Sequence, residues 1–503
     1  MKLMKMKFFL IIILGLFICK ENLWAIKCLE KEKTVVQKPF PLGIFLANHA
    51  QSLGIDKWNL ERWKIEIQNL KKMGATTIWF LPIQFGQHSE NEFVSGSAFW
   101  ELQKDICKAI VDAGLEVGIY IGYNDVFPET LERHPDWNAT YGKYGMEQAH
   151  ACPSVPEAQM EITELRRKVF RDLCRIDYII SPITDYGGCS CDKCAPLPKT
   201  YIKSLKEMVE VCREFHPKVK VIAAGHAINM HEEDMLRDLV RKADWINYVA
   251  DVPRGAKPII KYYMCPEITM VDGWGAWGPK PALKEIKEGY LEDECYTAGS
   301  VTYSEGIYDD VNRFAVLQFA KNPHRSILDV ATQYAKEWLN LNYKDARRIG
   351  KVIVGLGTRI PANSQFLSYK EGVNNPQADK RLKELIEVRE DNPMLRDNYR
   401  YWLLLYRAVY ESFSTVEGEL PLEVLNAEIE MARKELMRLD SYYGNCINGL
   451  NRWSKPELSP FSWPRSFNYM WRRENKFIKH IKMYVNSEYT SEINFTAGKI
   501  FDL

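Results

Sequence analysis

Neither sign of charge dominates this chain: 67 lysines and arginines stand against 66 aspartates and glutamates, for a formal net charge of +1, and there is no long basic run. A nucleic-acid partner needs a basic footprint that neutralises phosphates. That class is therefore set aside, and a neutral or small partner is expected. Beyond the first 25 residues no stretch is apolar enough to cross a bilayer, so no stable membrane insertion is expected of the mature chain. No glycine-rich phosphate fingerprint follows the first apolar run, which weighs against an open, doubly wound nucleotide-binding sheet. The two-pair cysteine spacing of a zinc module is also missing, although the chain holds twelve cysteines. Cys19 falls in the N-terminal leader, and the odd number left after its removal cannot pair completely.

What is present begins with an address. Lys2, Lys5 and Lys7 precede the apolar run Phe8 to Ile18, and a small residue follows at Ala25. That is the order of a secretory signal over residues 1–25, too short in its apolar part to span a membrane comfortably. An uncleaved anchor is the alternative. A periplasmic or secreted protein is the expectation.

From Pro41 onward, eight short apolar runs alternate with amphipathic stretches. They are Leu42–Ala47, Thr76–Leu81, Glu116–Ile121, Tyr178–Ile183, Val219–Ala224, Trp245–Val249, Ile268–Val271 and Val301–Tyr303. Helical patterns lie between them, as at Leu60 to Met73, with Trp63, Ile67 and Leu70 on one face and Gly74 just beyond. Eight such alternations predict an α/β fold, a (β/α)8 TIM barrel over residues 40–325. After Pro323 the periodicity is helical only, over Ile327–Ile353, Ala378–Arg389, Tyr399–Ser412 and Leu422–Leu439, which predicts a mostly helical C-terminal domain over residues 326–503. Its last part, Asn451 to Asn475, concentrates aromatics such as Trp453 and Trp463.

In a barrel, chemistry gathers where strands end at the C-terminal face. Read that way, the runs deliver Asn48 and His49, then Gln84, then Tyr123, Asn124 and Asp125, then Asp185, His226, Asp251, Asp272 with Trp274 and Trp277, and finally Tyr303, Ser304 and Glu305. Carboxylates and amides suit sugar hydroxyls, and flat aromatic faces suit the apolar side of a sugar ring. Breaking a glycosidic bond takes a carboxyl pair. Asp185 and Glu305 are the favoured pair, because each follows an apolar run and precedes a glycine. Asn48, His49, Tyr123, Asn124, Asp125, His226, Asp251, Asp272, Trp274, Trp277 and Tyr303 are candidates for substrate contact. Asp309 or Asp310 is expected to cap the helix that follows.

Cys189, Cys191 and Cys194 form a C-x-C-x-x-C run beside Asp185. Three readings stand: a structural zinc site with a fourth ligand such as Cys152, a local disulfide, or packed free thiols. Cys107, Cys174 and Cys212 sit singly in helical or strand-like runs and read as small buried hydrophobes.

The blocks A-C-P-S-V-P-E-A from Ala151, D-Y-G-G-C-S-C-D-K-C-A-P from Asp185 and Y-S-E-G-I-Y-D-D-V-N from Tyr303, with Asn322-Pro323 behind them, resemble a group of bacterial glycoside-hydrolase-like barrels. These are related to the β-N-acetylhexosaminidases, α-N-acetylglucosaminidases and α-glucuronidases. The resemblance runs from Pro41 to about Trp338, and more loosely into the helical part. It implies a TIM barrel, an exo-acting glycosidase and an exported role in breaking down oligosaccharide or polysaccharide; a carboxyl pair requires no cofactor, and the zinc weighed above would be structural only. Hexosaminidases carry an acidic pair directly after the glycine pair of the fourth strand, whereas Cys189-Ser190 follows Gly187-Gly188 here. Asp185, ahead of the glycines, takes that place in this reading. Two rival readings follow: a glycan-binding barrel without catalysis, and a metal-dependent hydrolase using the cysteines and His226.

Overall fold

The computed structural model describes residues 41–46, 55, 58–140, 149–182, 188–225, 230–252, 255–264, 279–304, 309–356, 375–414 and 418–442. Its centre is a ring of eight parallel strands: β1 (Leu42–Leu46), β2 (Thr77–Phe80), β3 (Glu116–Tyr120), β4 (Tyr178–Ser181), β5 (Lys220–Ala224), β6 (Tyr248–Ala250), β7 (Ile259–Met264) and β8 (Thr297–Ser304). Each pairs with its sequence neighbour and β8 returns to β1, from Leu42 opposite Ser300 to Leu46 opposite Ser304. The sheet is therefore closed, as the alternation of runs predicted, and not open.

Around it lie α1 (Leu60–Met73), α2 (Ala98–Asp112), α3 (Pro128–Arg133), α4 (Pro156–Asp172), α5 (Leu197–Phe215), α6 (Met230–Lys242), α7 (Leu283–Glu292) and α8 (Asp310–Lys321). Local sequence sets their ends. In α1 the Asn59 side chain accepts from Arg62 N, and Gly74 closes the last turn at φ 106°, where a side chain would be strained. Trp63, Ile67, Leu70 and Met73 recur at helical spacing and are buried against the barrel. The C-terminal part continues as α9 (Ile327–Trp338), α10 (Tyr343–Gly355), α11 (Ala378–Asp391), α12 (Tyr399–Ser414) and α13 (Leu422–Tyr442). Among the described residues, no helix is long and apolar enough to cross a membrane.

The inside of the barrel is a packed aromatic core. Phe45 stacks on Tyr120 at 4.8 Å and meets Tyr303 edge-on at 5.4 Å, while Trp79 leans on Tyr178 at 5.6 Å. Trp79 fits because its neighbours on β1 and β3 are glycines: a Cβ at Gly118 would stand 2.1 Å from the indole, and one at Gly43 2.5 Å from it. No side chain larger than hydrogen is compatible with that ring position.

Three sequence expectations change. The seventh strand is Ile259–Met264, not Ile268–Val271, which lies outside the described residues. Lys261 and two tyrosines interrupt its apolar character, which concealed it. The helix expected over Ile327–Ile353 divides at Leu339–Asn342, where Asn340 takes φ 55° and Asn342 caps the new start by accepting from Asp345 N. Asp309 occupies the N-cap position of α8 but makes no capping bond with its side chain, which accepts from Ser304 Oγ at 2.9 Å.

Asp310 serves neither as cap nor as surface charge. It is buried, bound by Arg400 of α12 at 2.7 and 3.0 Å and by the Tyr334 hydroxyl of α9 at 2.6 Å. Arg313 reaches Glu66 of α1 at 3.1 Å, and Glu66 also receives Arg62 at 3.2 Å. This chain of buried charges ties the C-terminal helices to α1 and α8 of the barrel.

Candidate functional site

The strand order fixes which segments share the C-terminal face. Residues 47–54, 183–187, 226–229, 265–278 and 305–308 follow β1, β4, β5, β7 and β8, and all lie outside the described residues. With them go Asp185 and Glu305, and also Asn48, His49, His226, Asp272, Trp274 and Trp277. Since β7 ends at Met264, Asp272 and the two tryptophans stand well beyond a strand end in sequence, not just past one. The described part of the face is built by the segments after β2, β3 and β6 and by residues 188–194, further along after β4; Gln84, after β2, is buried.

The β3 end is the best ordered chemically. Asn124 is fully buried and spends its amide on backbone: Nδ2 donates to Ala151 O (2.8 Å) and Gly188 O (3.1 Å), and Oδ1 accepts from Gly188 N (2.9 Å). One side chain thus joins the segment after β3, the segment before α4 and the segment after β4. Asp125 is also buried, in an ion pair with Arg166 of α4, and it accepts from Phe85 N at 3.2 Å. Arg166 further donates to Gly122 O at 2.7 Å and Asp125 O at 2.8 Å. Burial draws the Arg166 pKa below its ordinary value against the pull of Asp125. Burial lowers the pKa of His150 beside them; Asp125 opposes that shift and Arg166 adds to it. Tyr123 packs edge-on to Tyr201 at 5.6 Å, and burial raises its hydroxyl pKa well above normal. Asn124 and Asp125, read from sequence as substrate contacts, here bind their own chain.

Sequence alone does not single out Arg166 or His150. A signal for Arg166 existed: it lies four residues from both Ile162 and Phe170 on the buried face of α4, and an arginine on such a face requires an internal acid.

Beside this clamp, Cys189 and Cys194 are buried, Cys191 is half-buried, and Cys152 joins them from the segment before α4. The four sulfurs lie within 4.8 Å of one another. Cys152 Sγ is 3.6 Å from Cys189, 3.6 Å from Cys194 and 3.8 Å from Cys191. Contact first with Cys152 and then with Cys194 pulls the Cys189 pKa down, and contact first with Cys152 and then with Cys189 pushes Cys194 up. Elsewhere Cys107 and Cys212 are buried as expected, but Cys174 is exposed and faces Cys107 at 3.4 Å. Cys295 is disulfide-bonded.

Asp251 directly follows β6, with φ 52°, and is exposed. It borders a cavity of about 350 Å³ with Glu233, Lys261 and Asp293, where β6 and β7 share a single residue pair, Val249 with Ile259. Tyr303 belongs to the barrel's aromatic core.

These features define a closed (β/α)8 barrel with helices appended, a fold shared by many glycoside hydrolases. No protein-family model matches the chain, nor does any curated protein sequence. Among solved structures, the chain is similar to "Family 89 Glycoside Hydrolase from Clostridium perfringens in complex with 2-acetamido-1,2-dideoxynojirmycin", with TM-score 0.51, 10% identity and coverage of 86% of this chain and 59% of that one. It also matches a "GH138 enzyme targeting pectin rhamnogalacturonan II" at TM-score 0.46 and 10% identity, covering 86% and 62% of the two chains. The chain thus spans about three-fifths of the length of these two neighbours, 59% and 62%.

Proposed function

We propose that the protein is an exported, exo-acting glycoside hydrolase that cleaves oligosaccharide or polysaccharide with Asp185 and Glu305 as its carboxyl pair. The observation that carries this reading is the strand order. In the ring β1 to β8, β4 and β8 stand half a turn apart, and each leads straight to one of the two acids. Glu305 follows Ser304 directly, and Asp185 comes a few residues after Ser181. Both serines are fully buried, with Ser181 O held by the Tyr201 hydroxyl at 2.8 Å and Ser304 Oγ by Asp309. Each acid thus follows in sequence a buried strand end on the face where barrel chemistry gathers, which supports the pairing.

The fold likeness to a glycoside hydrolase bound to an acetamido sugar mimic supports putting N-acetylated sugars first among substrates. The Cys295 disulfide supports export, since such bonds persist in oxidising compartments. A hydrolytic metal centre on the cysteines is disfavoured: four thiolates fill a tetrahedral shell and leave no position for water.

The test is a panel of chromogenic glycosides, N-acetylhexosaminides and glucuronides first, assayed with the purified chain. Release of chromophore from at least one is expected. Saturable oligosaccharide binding with no turnover across the panel would replace the hydrolase with a glycan-binding barrel.

A further inference from the structure

The geometry points to a closed zinc site made by Cys152, Cys189, Cys191 and Cys194, which fastens the segment after β4 to the segment before α4. This inference stands apart from the glycosidase reading and holds whether or not the barrel cleaves sugars. Zinc held by four thiolates at about 2.3 Å places its sulfurs at the corners of a tetrahedron whose edges are about 3.8 Å. The distances from Cys152 to the other three sulfurs, 3.6, 3.6 and 3.8 Å, reproduce those edges, and no pair exceeds 4.8 Å. A disulfide would need two of them at about 2.05 Å, and would leave the other two converging on nothing.

The backbone around the sulfurs is arranged as for a metal. Cys191 to Cys194 makes a tight turn, with Cys194 N and Ala195 N both donating to Cys191 O at 2.9 and 3.0 Å, which brings the two sulfurs to one side. Thr140 N donates to Cys189 Sγ at 3.3 Å, and Ser154 Oγ lies 3.0 Å from Cys194 Sγ. Donors aimed at sulfur stabilise thiolate over thiol, the role that outer-sphere groups play around metal ligands. Four neutral thiols would gain little from such company, because S–H is a weak donor and a weak acceptor.

The set spans a long sequence interval, with Cys152 far ahead of the other three, so the ion is a cross-link between loops. It works in parallel with Asn124, which binds Ala151 O and both backbone atoms of Gly188 immediately beside Cys152 and Cys189. Asp185 lies four residues before Cys189. The site is thus an anchor for the C-terminal side of that segment.

The experiment is metal analysis of the full chain, expressed with zinc and iron both present and purified without chelator or metal-affinity resin. About one zinc per chain is expected, with the four cluster cysteines protected from alkylation until a chelator is added under denaturing conditions. Cobalt in place of zinc should give the thiolate charge-transfer and intense visible bands of a tetrahedral sulfur site. Cys191→Ser, at the half-buried ligand, should lower metal affinity at least tenfold, whereas Cys174→Ser should leave the zinc content unchanged. A peptide map showing a disulfide within the four, free alkylation of all four in the native metal-free protein, or iron bound in place of zinc would each overturn the assignment. None of these readouts passes through glycosidase activity.

Discussion

Two clusters of buried polar groups hold this molecule together, and they solve the same problem differently. At the junction of barrel and C-terminal helices, Asp310 and Glu66 form ion pairs with Arg62, Arg313 and Arg400, side chains drawn from α1, α8 and α12. At the C-terminal face, Cys152, Cys189, Cys191 and Cys194 bring four like groups together and include no cation of their own. The first cluster draws both signs of charge from the protein itself. The second becomes complete with an ion. A protein can therefore fix its scaffold with charges it always carries and fix a loop near its working face with one it must acquire.

The largest stability effect should come from breaking the first cluster. Asp310→Ala leaves Arg400 buried without its acid and Arg313 with Glu66 alone, and should cost about 3–5 kcal/mol in urea unfolding, most of it recovered when Arg400 is made Met as well. A single-variant loss below about 1 kcal/mol would remove the junction from the account. The same cluster gives a pH dependence with a definite sign. Burial by itself would raise the Asp310 pKa, but Arg400, then Arg313 and Tyr334, hold it below the usual range. Its contribution should be full above about pH 4 and fade as pH falls through its lower folded value. Asp310→Asn should flatten that acid limb.

Next in size is metal removal. At ion concentrations of 100 to 1,000 times Kd, binding stabilises by about 3–4 kcal/mol, so a strong chelator should lower the thermal midpoint by the corresponding amount. The drop should be the same in wild type and in Asp310→Asn, because the junction needs no ion. A chelator response that disappears in Asp310→Asn would mean that the two clusters are one.

Gly118→Ala offers a reference that belongs to neither cluster. Its Cβ would meet the Trp79 ring, and the strain should cost about 1–3 kcal/mol while leaving both the chelator response and the acid limb unchanged. Smallest of all, Glu61→Gln breaks the exposed pair with Lys64 and should not move the unfolding midpoint measurably.

Sequence made the barrel legible because buried parallel strands are short apolar runs, and seven of the eight announce themselves that way. The seventh, Ile259–Met264, carries Lys261 and tyrosines because β7 runs beside a polar cavity, so its composition mimics a surface segment. The cysteine cluster was half visible: Cys189, Cys191 and Cys194 are neighbours in sequence, while Cys152 joins only through the fold. The junction was invisible. Asp310 reads as a helix start, no sequence signal singles out Arg400, and only the approach of α12 to α8 reveals that they pair. Asn124 and Asp125 illustrate the converse, since polar residues at strand ends serve to brace loops as well as to meet ligands.

Whether the β4 and β8 ends supply the working acids is tested most directly by kcat/KM on the best-cleaved glycoside for wild type, Asp185→Asn and Glu305→Gln. Each substitution should lower it by about 100- to 10,000-fold with the unfolding midpoint unchanged. Wild-type turnover in either variant would contradict the assignment of that residue and return the search to the other strand ends.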